Sequence, residues 1–172
     1  DSQPKMVYDM YGFPEELYRI QYPVKGSPEL AQRLQTLLGK QLSIDNTWDL
    51  DHGAWSVLVH LFPKADIPVV QLSVNARLEP KALYDIGKAL RILRDEGILI
   101  IGSGNIVHNL RMVDWEQETT GYPWADAFDA AIQEAILKKE HGKCLNYQVL
   151  PGGKLAVPTP DHYDPLLYVL GT

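Results

Sequence analysis

The sequence predicts an α/β fold, a mostly parallel sheet with helices on both faces, and three observations carry that expectation. Helical and strand-like segments alternate along the chain, the pattern of α/β domains. The strand-like runs Ile67-Pro68-Val69-Val70-Gln71-Leu72-Ser73-Val74 and Ile98-Leu99-Ile100-Ile101 are apolar and rich in β-branched residues without strict alternation, as expected of strands covered on both faces. The helical segments between them carry start and stop residues in the right places. With 172 residues the chain fits a single domain, residues 1–172, with enough length to bury a sizeable core.

The first helix starts at Ser27-Pro28-Glu29. Ser27 caps the free amides, Pro28 suits the first helical position and Glu29 suits the positive end of the helix. Leu30, Leu34, Leu37 and Leu38 recur at helical spacing and Gly39 stops the run. Residues 41–45 read as a short strand. The loop Asp49-Leu50-Asp51-His52-Gly53-Ala54-Trp55 leads into a short helix that ends near Phe62, with Asp49 and Asp51 either loop caps or an acid–base pair. After the strand at 67–74, a long helix spans about Pro80 to Glu96, with Leu83, Ile86, Leu90 and Leu93 on one stripe and Gly97 as its stop. The strand at 98–101 runs straight into Gly102-Ser103-Gly104-Asn105-Ile106-Val107-His108-Asn109-Leu110. A helix from about Trp124 to Lys139 turns Phe128, Ile132, Ala135 and Ile136 inward. The last one opens at Thr159-Pro160-Asp161-His162, with Leu166, Leu167 and Leu170 on its apolar face.

Composition narrows the function. Hydrophobic residues make up 45% and charged residues 22% of the chain, the balance of an ordinary globular protein. A formal charge of −6 with scattered Lys and Arg supplies no basic patch for a phosphate backbone, so nucleic acid is not an expected partner. The apolar runs are far shorter than the roughly 20 residues of a membrane span. The single cysteine, Cys144, excludes an internal disulfide and favours a reducing compartment. The run Asp1-Ser2-Gln3-Pro4-Lys5 has no apolar leader core behind it, so the expected location is the cytoplasm.

Three of the five histidines share an unusual placement. His52 precedes a helix, His108 follows a strand and His162 lies in a first helical turn. Ligands of open α/β sheets bind where strand-to-helix loops converge. A helix N-terminus disfavours imidazolium, and a neutral imidazole can ligate a metal or take a proton. The competing reading for each is a histidine bonded to a neighbouring carbonyl, and no pair has close ligand spacing such as His-x-x-x-His. His60, inside a short helix, and His141, read as the solvated cap of a helix C-terminus, look ordinary. Gly102-Ser103-Gly104 lacks the third glycine and the helix of a dinucleotide fingerprint. Tyr8, Tyr11, Phe13, Tyr18 and Tyr22 crowd the first segment, either as an aromatic pocket or as packing.

Several blocks together resemble the DOPA-dioxygenase-like class III extradiol ring-cleaving dioxygenases. They are Gly12-Phe13-Pro14-Glu15-Glu16-Leu17-Tyr18 with Tyr22-Pro23, then Asp51-His52-Gly53-Ala54-Trp55 with Leu58, and Phe62-Pro63 with Ala65-Asp66-Ile67-Pro68-Val69-Val70-Gln71-Leu72-Ser73. Arg94-Asp95-Glu96-Gly97, Ser103-Gly104-Asn105-Ile106-Val107-His108-Asn109-Leu110 and Pro158-Thr159-Pro160-Asp161-His162-Tyr163 with Leu166-Leu167-Tyr168 continue the match in order over nearly the whole chain. The resemblance implies one divalent metal per complete active site, Fe(II) or Zn(II). It places His162 at the metal, His108 at the same centre as ligand or acid–base, and His52 along the pocket as an aid to dioxygen or substrate. The implied reaction inserts O₂ beside the diol of a catechol and gives a ring-opened semialdehyde.

One departure qualifies that reading. The family carries two further histidine motifs, a Gly-His-Gly-Ser-Pro block and a Ser-Ala-His-Trp block, and neither occurs in this sequence. The expectation is therefore a fold truncated at its N-terminus, with an exposed sheet edge or a compensating homo-oligomer. The alternative is a non-catalytic binding domain that kept the scaffold and lost its metal site. A zinc hydrolase on a related scaffold is a third reading, without a recognisable nucleophile motif to support it.

Overall fold

A computed structural model of the chain describes residues 2–116 and 119–172. Asp1, the first residue of the run read above for a leader peptide, lies outside them. The chain divides into two compact units, one ending at Ser73 and the other spanning Val74 to Thr172.

In the first unit α1 (Pro28–Leu38) forms as the sequence predicts, with Ser27 Oγ accepting from the Leu30 amide and Gly39 at the C-cap with φ of 57°. Leu34 and Leu38 are its buried residues. Helix α2 (His52–Leu61) is capped by Asp51, whose side chain accepts from the Ala54 amide. Its inward residues Trp55 and Leu58 join Met10, Tyr22, Val24 and Leu50 in the unit's core. Two hydrogen bonds tie the polar edges of that core to backbone: Trp55 Nε1 donates to Val7 O at 2.9 Å and Tyr22 Oη to Phe62 O at 3.0 Å. The aromatic crowd at the start of the chain serves mainly as packing. Tyr8 lies against both Trp55 and Tyr18, with ring centroids 5.5 and 6.4 Å apart, whereas Tyr11 and Phe13 face solvent.

In the second unit α3 (Pro80–Leu90) and the short α4 (Ile92–Asp95) replace the single long helix expected there. The predicted stripe holds: Leu83, Ile86, Leu90 and Leu93 are buried. Helix α5 (Pro123–Leu137) buries Phe128, Ile132 and Ala135, followed by α6 (His141–Leu145), α7 (Gly153–Ala156) and α8 (Asp164–Gly171). Helices α3 and α8 cross at backbone contact. A Cβ on Gly87 would stand 2.1 Å from Tyr168 O, and one on Gly171 2.3 Å from Tyr84 O, so both positions require glycine for the close approach.

The expected mostly parallel sheet is not there. Among the described residues every named element is a helix, and extended pairing is limited to two isolated parallel bridges, Met6 with Leu50 and Gly26 with Val69. The physical reason lies partly in proline. Pro4, Pro23 and Pro68 sit within three residues of the bridging Met6, Gly26 and Val69, and a residue without an N–H cannot extend a ladder. The run 98–101, expected as a buried strand, makes no strand pairing among the described residues. Leu99 is 69% and Ile101 42% exposed. β-Branched composition favours extended backbone, but a strand exists only through pairing. Residues 41–45 likewise form no strand, and a 3₁₀ turn at Gly39–Gln41 precedes them.

Candidate functional site

In the second unit the structure brings His108 and His162 together. Their rings stack with centroids 3.5 Å apart and an interplanar angle of 14°. Backbone hydrogen bonds sew the two loops that carry them: Asn105 N donates to His162 O at 2.9 Å and His108 N to Ala156 O at 2.8 Å. The Asn109 side-chain amide adds a bond to Leu155 O at 2.8 Å. Gly104 permits the approach, because a Cβ there would lie 2.2 Å from His162 O, and one on Gly102 would lie 2.7 Å from Pro165 O. The Gly-Ser-Gly run is thus a packing device against the 162–165 segment rather than a phosphate cradle.

The electrostatics around this pair favour neutral imidazole at His108. Its burial, and then the neighbouring His162, push its pKa down, with the Asp161 carboxylate acting weakly the other way. Burial works to raise Asp161, but the Thr159 hydroxyl, backbone bonding and His162 outweigh it and hold the carboxyl below its ordinary value. Thr159, the residue before the turn Pro160–His162, makes no capping bond to it. His162 Nδ1 lies 2.7 Å from Asp161 Oδ2 without meeting the geometry of a hydrogen bond. Immediately beyond, Asp164 is buried, and that burial, with the Asp161 charge, pushes its pKa up to about 6.

His52 stands in the first unit as the first residue of α2. Its partner, Asp9, was not singled out by sequence reasoning. His52 Nδ1 lies 2.7 Å from Asp9 Oδ1, and the His52 amide donates to the same oxygen at 3.1 Å. The helix start is clamped from another side as well. Gln71 Nε2 donates to Asp51 Oδ2 at 2.8 Å, and the Asp51 amide donates to Gln71 Oε1 at 3.1 Å. No local spacing could have announced Asp9, which is 43 residues from His52 in sequence.

The remaining histidines behave less uniformly than expected. His60 is exposed on α2. His141 opens α6 rather than closing the preceding helix, and its Nδ1 pairs with Tyr84 Oη at 2.9 Å. Cys144 is fully buried, and burial raises its thiol pKa, which makes it inert.

For a divalent metal, the donor chemistry at His108 and His162 is suitable but the number is not. Among the described residues no group of three or more His, Cys, Asp or Glu side chains is arranged to hold a metal ion. Two face-to-face imidazoles do not complete a centre that asks for three protein ligands and open positions. No helix of the described residues is long and apolar enough to cross a membrane.

These loops and histidines fall within a match to the family model described as the catalytic LigB subunit of aromatic ring-opening dioxygenase, which covers residues 1–172, and the chain belongs to that family. It is 44% identical to the 4,5-DOPA dioxygenase extradiol of Escherichia coli (strain K12), over 98% of this chain and 64% of that protein. It is 42% identical to the 4,5-DOPA dioxygenase extradiol of Beta vulgaris, over 96% of this chain and 63% of that one. The chain therefore spans just under two thirds of the length of these relatives. Its structure is similar to the crystal structure of uncharacterized protein JW3007 from Escherichia coli K12, with a TM-score of 0.81, 45% identity, and coverage of 90% of this chain and 66% of that one.

Proposed function

We propose that the chain forms part of an extradiol dioxygenase that inserts O₂ into a catechol ring of the DOPA class and releases a ring-opened semialdehyde. The observation that carries this reading is the stacked His108–His162 pair, fixed by the backbone bonds of a loop that bears the family's histidine motif. Family membership and the relatives named 4,5-DOPA dioxygenase extradiol support the reaction class. In this reading His162 is directed to a divalent metal, Fe(II) or Zn(II). His108, held neutral by burial, is a second ligand or the acid–base group for a catechol hydroxyl, and the family resemblance gives His52 the part of an aid to dioxygen or substrate. With only two histidine donors in place, no step through the metal follows from this geometry.

That incomplete donor set also favours a second reading, a binding domain on the same scaffold without turnover. Titration of Zn(II), and of Fe(II) under anaerobic conditions, into the purified chain separates the two when followed by oxygen uptake with DOPA. Metal binding lost in His108→Ala and His162→Ala, together with oxygen uptake and a semialdehyde product, supports the dioxygenase. Catechol binding without metal binding or oxygen uptake is the result expected of the binding domain, and a reading frame that carries both further histidine motifs excludes it.

A further inference from the structure

We infer that Asp9 is a positioning residue for His52, holding its imidazole as the Nδ1–H tautomer so that Nε2 is left to accept a proton from an acidic hydroxyl such as that of a catechol. An ionised carboxylate only accepts hydrogen bonds, so a ring nitrogen 2.7 Å from Asp9 Oδ1 has to carry the hydrogen. The same oxygen takes the His52 backbone amide at 3.1 Å. One atom thereby fixes both the backbone and the ring of a single residue, leaving the imidazole little freedom to turn. Burial acts to neutralise Asp9, but the ring and amide bonds from His52 outweigh it and hold the carboxyl below its ordinary range.

Helix capping does not explain the arrangement. Asp51 already caps α2 through the Ala54 amide and is itself secured by Gln71. Asp9 adds a second carboxylate whose shorter bond goes to the ring. The side chains of His52 and Asp9 remain 43% and 31% exposed, so the imidazole is oriented without being sealed from small molecules. Behind metal-bound histidines, partners that set tautomer and orientation typically matter about 10–100-fold, and an effect of the same order is expected for a ring that takes a proton.

What Nε2 meets rests on the dioxygenase reading above; the coupling of Asp9 to His52 does not, and the two are tested separately. In the ¹⁵N-labelled full chain, above the ordinary imidazole titration range, long-range ¹H–¹⁵N correlation reports the tautomer of each of the five histidines, with His52→Gln assigning the His52 signal. The expected wild-type result is the Nδ1–H form at His52. The Asp9→Ala variant is expected to convert it to the Nε2–H form, leaving the other four unchanged. An Nε2–H form in the wild type overturns the inference even where Asp9→Ala does not fold, and so does an unchanged tautomer in a folded variant. In catechol-dependent oxygen uptake, Asp9→Ala is expected to lower kcat about 10–100-fold with KM nearly unchanged. A wild-type chain with the Nδ1–H form and no turnover leaves the positioning role standing and counts only against turnover by this part of the enzyme on its own.

Discussion

The imidazoles of His108 and His162 lie face to face, 3.5 Å between centroids and 14° from parallel. Two positive charges at that distance oppose each other strongly, so the pair is built for at most one proton. His108, pushed down by burial and by His162, is the ring that stays neutral.

This sets the sign of an acid effect on stability. A histidine whose folded pKa is depressed binds fewer protons folded than unfolded below the ordinary imidazole value. Stability therefore falls as pH falls through that window. Urea midpoints measured in chelator between about pH 8 and about pH 5 are expected to drop more for the wild type than for His108→Gln. Equal drops would show that the stack carries no such penalty.

Asp164 acts in the opposite direction. Its folded pKa of about 6 against the ordinary 3.8 means that the folded chain holds the extra proton between those values. The stability contribution is present at acid pH and is lost as pH rises toward 6. The loss is on the order of 3 kcal/mol at about 1.36 kcal/mol per unit. Asp164→Asn is expected to flatten this limb and to be more stable than wild type near neutrality. Because the two windows adjoin, each effect is read from its own variant minus wild type.

Gly104→Ala places a methyl 2.2 Å from His162 O, where backbone has to move. A cost of about 1–3 kcal/mol is expected, with loss of the protection that Asn105 N receives from its bond to His162 O. Gly142→Ala provides the contrast. Nothing lies within 4 Å of its Cβ position, and as an α6 residue it is expected to gain roughly 0.5–1 kcal/mol. Denaturant unfolding with amide exchange checks both.

Gln71→Ala removes both bonds to Asp51 and frees the start of α2. An expected loss of about 1–2 kcal/mol is measured by unfolding. It is accompanied by weaker amide protection at Ala54, whose cap is Asp51. Unchanged protection would show that Asp51 holds its place without Gln71.

The helices were legible because their information is local. Ser27 and Pro28 open α1, the Leu83–Ile86–Leu90–Leu93 stripe reappears as buried surface, and Gly97 adopts a φ of +77° where the stop was expected. The sheet was not legible because composition favours extended backbone while pairing depends on distant segments. Pro68 sat inside the run 67–74 as a warning, and each extended segment of the first unit finds a partner at only one residue. At the site, His108 and His162 were visible through their motifs. Asp9 and Gln71 were not, because their meaning comes only from tertiary contacts across 43 and 20 residues of chain.

The bare stretch Ile98 to Ile101, with Leu99 and Ile101 turned to solvent and no strand beside it among the described residues, governs how the material behaves in the tube. The Ile98 amide is bonded to Leu93 O, and an unpaired apolar segment beyond it is a surface onto which another molecule can lay the same segment. Turbidity of concentrated samples is expected to grow more slowly for Leu99→Lys or Ile101→Lys than for the wild type.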